Sequence, residues 1–302
     1  MGLVAVENDI LKSALLRIQA EVDETFDAFL PAPDDARAPL VEAMRYAAIG
    51  GGKRVRPLLL VATASLFGVD REAAVNAGCA VEAIHAYSLI HDDLPCMDDD
   101  DLRHGKPTLH KAFDEATAVL AGDSLHALAF DILTRPDTSS DPFVQSELVR
   151  CLALASGHEG MAGGQVMDMA AEEQNYDLRQ VTRLQQLKTG ALLAASVEMG
   201  SILGRVPPDG RAPLRGYARD IGLAFQIADD LLDIEGDEAR AGKALRKDEG
   251  QGKATFVTLM GIDKARAQAR MLVEQAVGHL AGYGDDAALL AALARYIVER
   301  DR

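Results

Sequence analysis

The sequence predicts an all-α protein built as a helical bundle. Three observations carry that expectation. Ala and Leu dominate the composition and Trp is absent. The alternation of β-branched residues that marks strands is hard to find. Turn-forming segments divide the chain into stretches long enough for helices; they fall at PAPDD (31–35), GGK (51–53), FGVD (67–70), LPCMDDDD (94–101), RPDTSSDP (135–142), GRVPPDG (204–210) and GYGDD (282–286). No repeat, low-complexity tract or long linker separates these stretches, so one domain over residues 1–302 is expected.

Bulk properties narrow the class. With 302 residues, 48% of them hydrophobic, the chain can bury a large core. Its formal net charge of −16 argues against nucleic acid as a partner, because phosphate backbones select basic surfaces. The same charge would repel free diphosphates, so any diphosphate site needs cations to reverse the field. Cys79, Cys96 and Cys151 are odd in number and widely spaced, which fits free thiols in a reduced, cytoplasmic setting. No uncharged apolar run of membrane-spanning length is present, and MGLVAVENDILK lacks the form of a signal peptide. Gly2 is not followed by the Ser or Thr at position six that myristoylation requires.

Taken in chain order, the first segment of chemical interest is Lys53-Arg54-Val55-Arg56-Pro57, which follows three glycines and reads as a flexible approach to a helix start. A helix from about Val75 to Asp93 is apolar on nearly every side and therefore buried. It runs into an acidic cluster of Asp92, Asp93, Asp98, Asp99, Asp100 and Asp101. Asp92 and Asp98 would diverge on a continuous helix, but Pro95 bends the chain and can turn Asp98 back. The cluster reads either as a solvated acidic loop or as a hard-cation site. An EF-hand fails, because the spacing puts Leu102, His104 and Lys111 at ligand positions.

Lys188-Thr189-Gly190 then interrupts an apolar stretch. From Tyr217 to Asp237 a helix carries Ile221, Ala224, Phe225, Ala228 and Leu232 on one stripe, and Gln226, Asp229, Asp230, Asp233 and Asp237 on the opposite face. Four carboxylates without interspersed Lys or Arg repel one another, a penalty that a divalent cation removes. Mg²⁺ favours a few carboxylates completed by substrate phosphate oxygens, so two such clusters suit diphosphate binding. Lys243 and Lys253 follow in glycine-containing loops.

Together these segments resemble the trans-prenyl diphosphate synthases, the bacterial farnesyl diphosphate synthases in particular. DDLPCMD (92–98) and DDLLD (229–233) resemble the family's two aspartate-rich motifs, and GGKRVRP (51–57), HAYSLIHDD (85–93), LRHGKPT (102–108), AGDSL (121–125), GGQVMD (163–168), KTG (188–190), GLAFQIADD (222–230) and GK (242–243) match in order. The resemblance implies an isoprenoid-synthase bundle around a central cavity, a homodimer, and three Mg²⁺ per active site. It implies head-to-tail condensation of isopentenyl diphosphate with dimethylallyl and geranyl diphosphate to give farnesyl diphosphate. Asp92, Asp98 and Asp229 would ligate the metal, supported by Asp93, Asp230 and Asp233. Arg103, Lys188 and Lys243 would hold the allylic diphosphate; Lys53, Arg56 and His85 would bind isopentenyl diphosphate. Thr189 and Gln226 would sit near the allylic cation.

One departure stands out. The family carries two arginines after the first motif, and here the pair is Arg103-His104, so His104 would have to donate a hydrogen bond to isopentenyl diphosphate instead. Tyr87, with Ser88 beside it, is implied to set product length. It stands five residues before Asp92, about 7–8 Å deeper along the helix. A ring there suits a fifteen-carbon product, and a smaller residue a geranylgeranyl or longer one. Asp233 occupies a position that is Ser or Thr in terpene cyclases, and an HD-type phosphohydrolase would leave the second acidic cluster unexplained. A non-catalytic subunit regulating a synthase is the alternative of a different class.

Overall fold

The computed structural model describes residues 2–171, 174–235 and 254–299. The expected all-α class holds, and among the described residues the strands amount to one short hairpin. Helix α1 (Gly2–Phe29) buries Leu11, Ile18, Val22 and Phe26, whose spacing of seven and four places them on one stripe. Helices α2 (Ala38–Ala48) and α3 (Val55–Ser65) lead to α4 (Arg71–Asp92). Asp70 caps α4, its carboxylate accepting from the Ala73 N–H at 3.2 Å. Every residue from Ala74 to Ile84 is buried, so α4 is the central helix that its all-round apolar character predicts.

The hairpin of β1 (Leu102–Arg103) and β2 (Lys106–Pro107) precedes α5 (Leu109–Ala112) and α6 (Glu115–Thr134). Helices α7 (Pro142–Ser156), α8 (Met161–Ala171) and α9 (Leu178–Gln185) follow. A single π turn (Gln186–Gly190) feeds directly into α10 (Ala191–Leu203). The chain closes with α11 (Ala212–Glu235), α12 (Phe256–Met260), α13 (Ile262–His279) and α14 (Ala288–Glu299). The most extensive packing joins α4 to α6, α11 to α13 and α3 to α10. By length and composition α4 and α6 could each cross a membrane, but most of α4 is enclosed by protein, as a core helix is.

Three local features differ from the sequence reading. An unanticipated break separates α7 from α8, the hairpin at 102–107 was not expected, and the KTG segment is a π turn rather than a plain interruption. On α11 the predicted apolar stripe is present, with Ile221, Ala224 and Ala228 buried and Phe225 and Leu232 half-buried. The opposite face is enclosed too: Ile227 and Asp230 are buried, because α10, α12, α13 and α14 surround this helix. Asp237 lies outside the described residues.

Candidate active site

The first acidic cluster begins where α4 stops. Asp98 donates its backbone N–H to the Asp92 carbonyl at 2.8 Å, and Met97 and Asp99 donate theirs to Leu94 at 2.9 and 3.2 Å. The loop that starts at Pro95 therefore doubles back, as expected, and returns Asp98 to the helix end. Thr108 then clips the hairpin to this loop, its hydroxyl donating to the Asp100 carbonyl at 2.7 Å. The hairpin turn is His104-Gly105, with φ of 51° and 76°, the pair of positive values that a type I′ turn requires. His104 thus serves the backbone as well as any ligand, and the turn folds Arg103 back onto the acidic loop.

Arg103 grips Asp93 through two guanidinium nitrogens, with Nε at 3.0 Å, and its Nη2 also reaches Asp100 at 3.4 Å. Asp93 is buried; that burial pushes its carboxyl up, and the Arg103 charge opposes the shift. Asp92 is half-buried. Burial pushes it up to about 6, Asp98 and Asp93 add to the rise, and Lys188 and Arg103 work against it. A divalent cation would favour the ionised form, so the donor set fits Mg²⁺: hard carboxylate oxygens around a carboxylate that is strained as a bare anion. Among the described residues no three His, Cys, Asp or Glu side chains are grouped so as to hold an ion by themselves.

Lys188 links this end of the bundle to α8 and α11. Its ammonium donates to the Asp168 carboxylate at 2.7 Å, and it is close enough to Asp92 to act on that residue's ionisation. The π turn that presents Lys188 and Thr189 lies against α11, where a methyl group on Gly222 would come within 3.4 Å of the Gly190 Cα. π turns of this kind are frequent at functional sites, since they offset a helix by one residue and re-aim its side chains. Further along α11, Asp229 and Asp233 are half-buried. Asp230 is buried, accepting from the Phe256 N–H at 2.8 Å and the Gln226 amide at 3.2 Å. Asp230 and Gln226 thereby anchor the start of α12.

Of the residues expected to bind isopentenyl diphosphate, Arg56, His85 and His104 lie near one another, and Lys53 is placed against Tyr296 of α14. His85 is driven well below its usual pKa by burial and by the neighbouring charges of Arg56, His104 and Arg103. It is therefore neutral at physiological pH and can serve as a hydrogen-bonding group. Lys53 lies over the Tyr296 ring, 5.4 Å from its centroid. Tyr87 sits edge-on to His91 at 5.6 Å and to His126 at 5.1 Å, and Phe130 is edge-on to His126 at 5.2 Å. The hydroxyl of Ser88 donates to the His85 carbonyl at 2.9 Å, a bond within its own helix. Lys243 and Lys253 lie outside the described residues.

Two residues of the GGQVMD segment received no role from the sequence. Asp168 partners Lys188, and Gln165, one turn earlier on the same face of α8, is buried with neither amide atom hydrogen-bonded among the described residues. Their i, i+3 spacing inside an otherwise small and apolar helix was the available signal. Two hollows, of about 270 Å³ between α1, α3 and α14 and about 770 Å³ between α8 and α9, contain none of the aspartates of either motif.

The profile of the polyprenyl synthetase family matches residues 37–293. A farnesyl diphosphate synthase of Haemophilus influenzae is 43% identical over 289 residues, covering 95% of this chain and 97% of that one. A chloroplastic geranylgeranyl pyrophosphate synthase of Arabidopsis thaliana is 43% identical over 296 residues, covering 96% and 82% respectively. Among solved structures, an apo FPP/GFPP synthase from Zymomonas mobilis superposes with a TM-score of 0.90 at 57% identity, covering 96% of this chain and all of that one. On this agreement of fold, motif order and full-length similarity, the chain belongs to the polyprenyl synthetase family.

Proposed function

We propose that the chain is a Mg²⁺-dependent prenyltransferase, a farnesyl diphosphate synthase that condenses isopentenyl diphosphate with dimethylallyl and then geranyl diphosphate. The observation that carries this reading is the arrangement around Asp92. A carboxylate whose charge burial disfavours stands beside Asp98, Asp93 and the Lys188 ammonium at an open helix end. Metal ions entering with a diphosphate would add to the charge of Lys188 and Arg103 and favour the ionised carboxylate.

Asp92 and Asp98 from the first motif and Asp229 from the second would hold three Mg²⁺ per site, with Asp93, Asp230 and Asp233 fixing the ligand carboxylates in place. Bound Mg²⁺ would neutralise the diphosphate and so make it a leaving group. Lys188, Arg103 and Lys243 take hold of the same oxygens, and their charge counts most as the C–O bond breaks and negative charge grows. Thr189 and Gln226 offer oxygen dipoles to the allylic carbon as it becomes cationic. Lys53, Arg56, His85 and His104 present isopentenyl diphosphate so that its double bond meets that carbon. A proton then leaves the new cation for the departing diphosphate. The apolar lining keeps water from capturing the cation first.

The row of edge-on rings Tyr87, His126 and Phe130 supports a floor at fifteen carbons. A geranylgeranyl product is the second reading, favoured by similarity to plant enzymes of that name. We further propose a cytoplasmic homodimer, with residues 1–302 as one domain. The exposed Val119 and Leu120 on the apolar helix α6 offer a surface for a second copy.

The test is to supply purified protein with Mg²⁺, isopentenyl diphosphate and dimethylallyl, geranyl or farnesyl diphosphate, and to chromatograph the dephosphorylated products. Farnesol from the first two, with little extension of the third, is the expected result. Twenty-carbon alcohols would overturn the product assignment alone. No Mg²⁺-dependent product would leave the regulatory-subunit reading.

A further inference from the structure

Arg54 lies between Lys53 and Arg56, yet its side chain turns into the protein and is 3% exposed. Its Nη1 donates to Glu82 at 2.8 Å; its Nη2 donates to Asp23 at 2.9 Å and to the Ala48 carbonyl at 2.5 Å. The same Asp23 oxygen accepts the Gly50 N–H at 3.2 Å. One guanidinium therefore ties together α1, the end of α2 and the middle of α4.

The backbone of this loop is strained at Arg54 and not at its glycines. Arg54 is left-handed, with φ 54° and ψ 36°, and Gly50 and Gly52 are also at positive φ. For a residue with a long side chain, that conformation costs about 1–2 kcal/mol and persists only where the surroundings over-determine it. The three anchors of Arg54 are those surroundings. Burial works against its charge, and the carboxylates of Glu82 and Asp23 more than offset this. Glu82 is three residues before His85, so the two share a face of α4 about 4.5 Å apart along its axis.

We infer that Arg54 is a positioning residue for the isopentenyl diphosphate site: clamped to Asp23, Ala48 and Glu82, it fixes the height of Lys53 and Arg56 relative to His85. The inference rests on the reading that Lys53, Arg56 and His85 bind that substrate. Arg54 itself touches no substrate, and its charge is consumed by its partners. Lysine cannot replace it, because one ammonium lacks the rigid fork that spans three acceptors in different directions.

The test compares Arg54→Lys, Glu82→Gln and Arg56→Ala in steady-state kinetics, varying isopentenyl and geranyl diphosphate separately, with melting temperature recorded for each. Glu82→Gln keeps the side chain's size and leaves the Asp23 and Ala48 anchors in place, so it is the milder of the two perturbations. A misplacement of about 1 Å is worth on the order of a hundredfold. Arg54→Lys and Glu82→Gln should therefore each raise KM for isopentenyl diphosphate roughly tenfold or more, with kcat and KM for geranyl diphosphate within about twofold. An unchanged KM in both variants would overturn the inference. So would losses shared by both substrates and proportional to the fall in melting temperature, which a purely structural clamp would give. If Arg56→Ala leaves KM for isopentenyl diphosphate unchanged, the site assignment itself falls, whatever Arg54→Lys does.

Discussion

Substituting Gly164 by alanine probes how Lys188 is held. Gly164 is on α8, one helical turn before Asp168, and faces the π turn. A Cβ added there would stand 2.2 Å from the Lys188 N, 2.5 Å from the Lys188 Cα and 2.8 Å from the Leu187 carbonyl carbon. All three are backbone atoms, so no side-chain rotation relieves the contact. Restoring even a tight 3.4 Å separation needs a shift of 1.2 Å, the difference from 2.2 Å. That shift moves the backbone which aims Lys188 and Thr189. A displacement of this size in a positioning element is worth on the order of a hundredfold in rate. Overpacking costs about 1–3 kcal/mol, and the helix gains about 1 kcal/mol from Gly to Ala, so net destabilisation should stay near or below about 2 kcal/mol. The expected signature is a collapse of kcat/KM out of proportion to the change in stability, read by product formation and by urea unfolding. Gly278→Ala on α13 is the control: nothing lies within 4 Å of its added methyl, so it should stabilise the protein slightly and leave activity alone. Gly164→Ala with full activity and raised stability would refute the view that contact with α8 sets the position of Lys188.

Three further outcomes are expected. The carboxyl of Asp92 sits near 6 against an ordinary 3.8, so the metal-free fold binds this proton more tightly than the unfolded chain does. Its contribution is whole below about pH 4 and is lost as pH rises through 6, a loss on the order of 3 kcal/mol. Asp92→Asn should therefore raise the metal-free melting temperature at pH 7.5, flatten its pH dependence between 4 and 7, and abolish turnover. An unchanged thermal profile across that range would contradict the burial argument. Tyr87→Ala removes the first of three edge-on rings but leaves His126 and Phe130, so the main product should lengthen to twenty carbons rather than without limit; chromatography of the alcohols decides it. Asp230→Ala strands the buried Phe256 N–H, which should cost about 1–3 kcal/mol in urea unfolding and loosen α12, seen as faster amide exchange there.

Much of this protein is legible in its sequence because the governing interactions are local. The helix boundaries follow from residues that act within one turn: Asp70, Asp114 and Asp141 each accept a nearby N–H at the start of the helix they precede. Burial of α4 follows from apolar residues on every side, and the return of Asp98 toward Asp92 follows from a proline three residues after that aspartate. The motif aspartates announce themselves because their mutual repulsion on one face needs an explanation. The tertiary structure decided what depends on partners distant in the chain. Nothing local says that Arg54 turns inward to Glu82 and Asp23, so a loop that read as flexible is pinned. Asp230 looks equivalent to Asp229 in sequence, yet the start of α12, twenty-six residues on, makes it a buried anchor. Asp168 meets Lys188 only because Gly164 lets α8 approach the π turn at backbone distance. Short-range sterics and capping set the elements; contacts between elements, with the desolvation they impose, set which charges are spent on structure and which remain for chemistry.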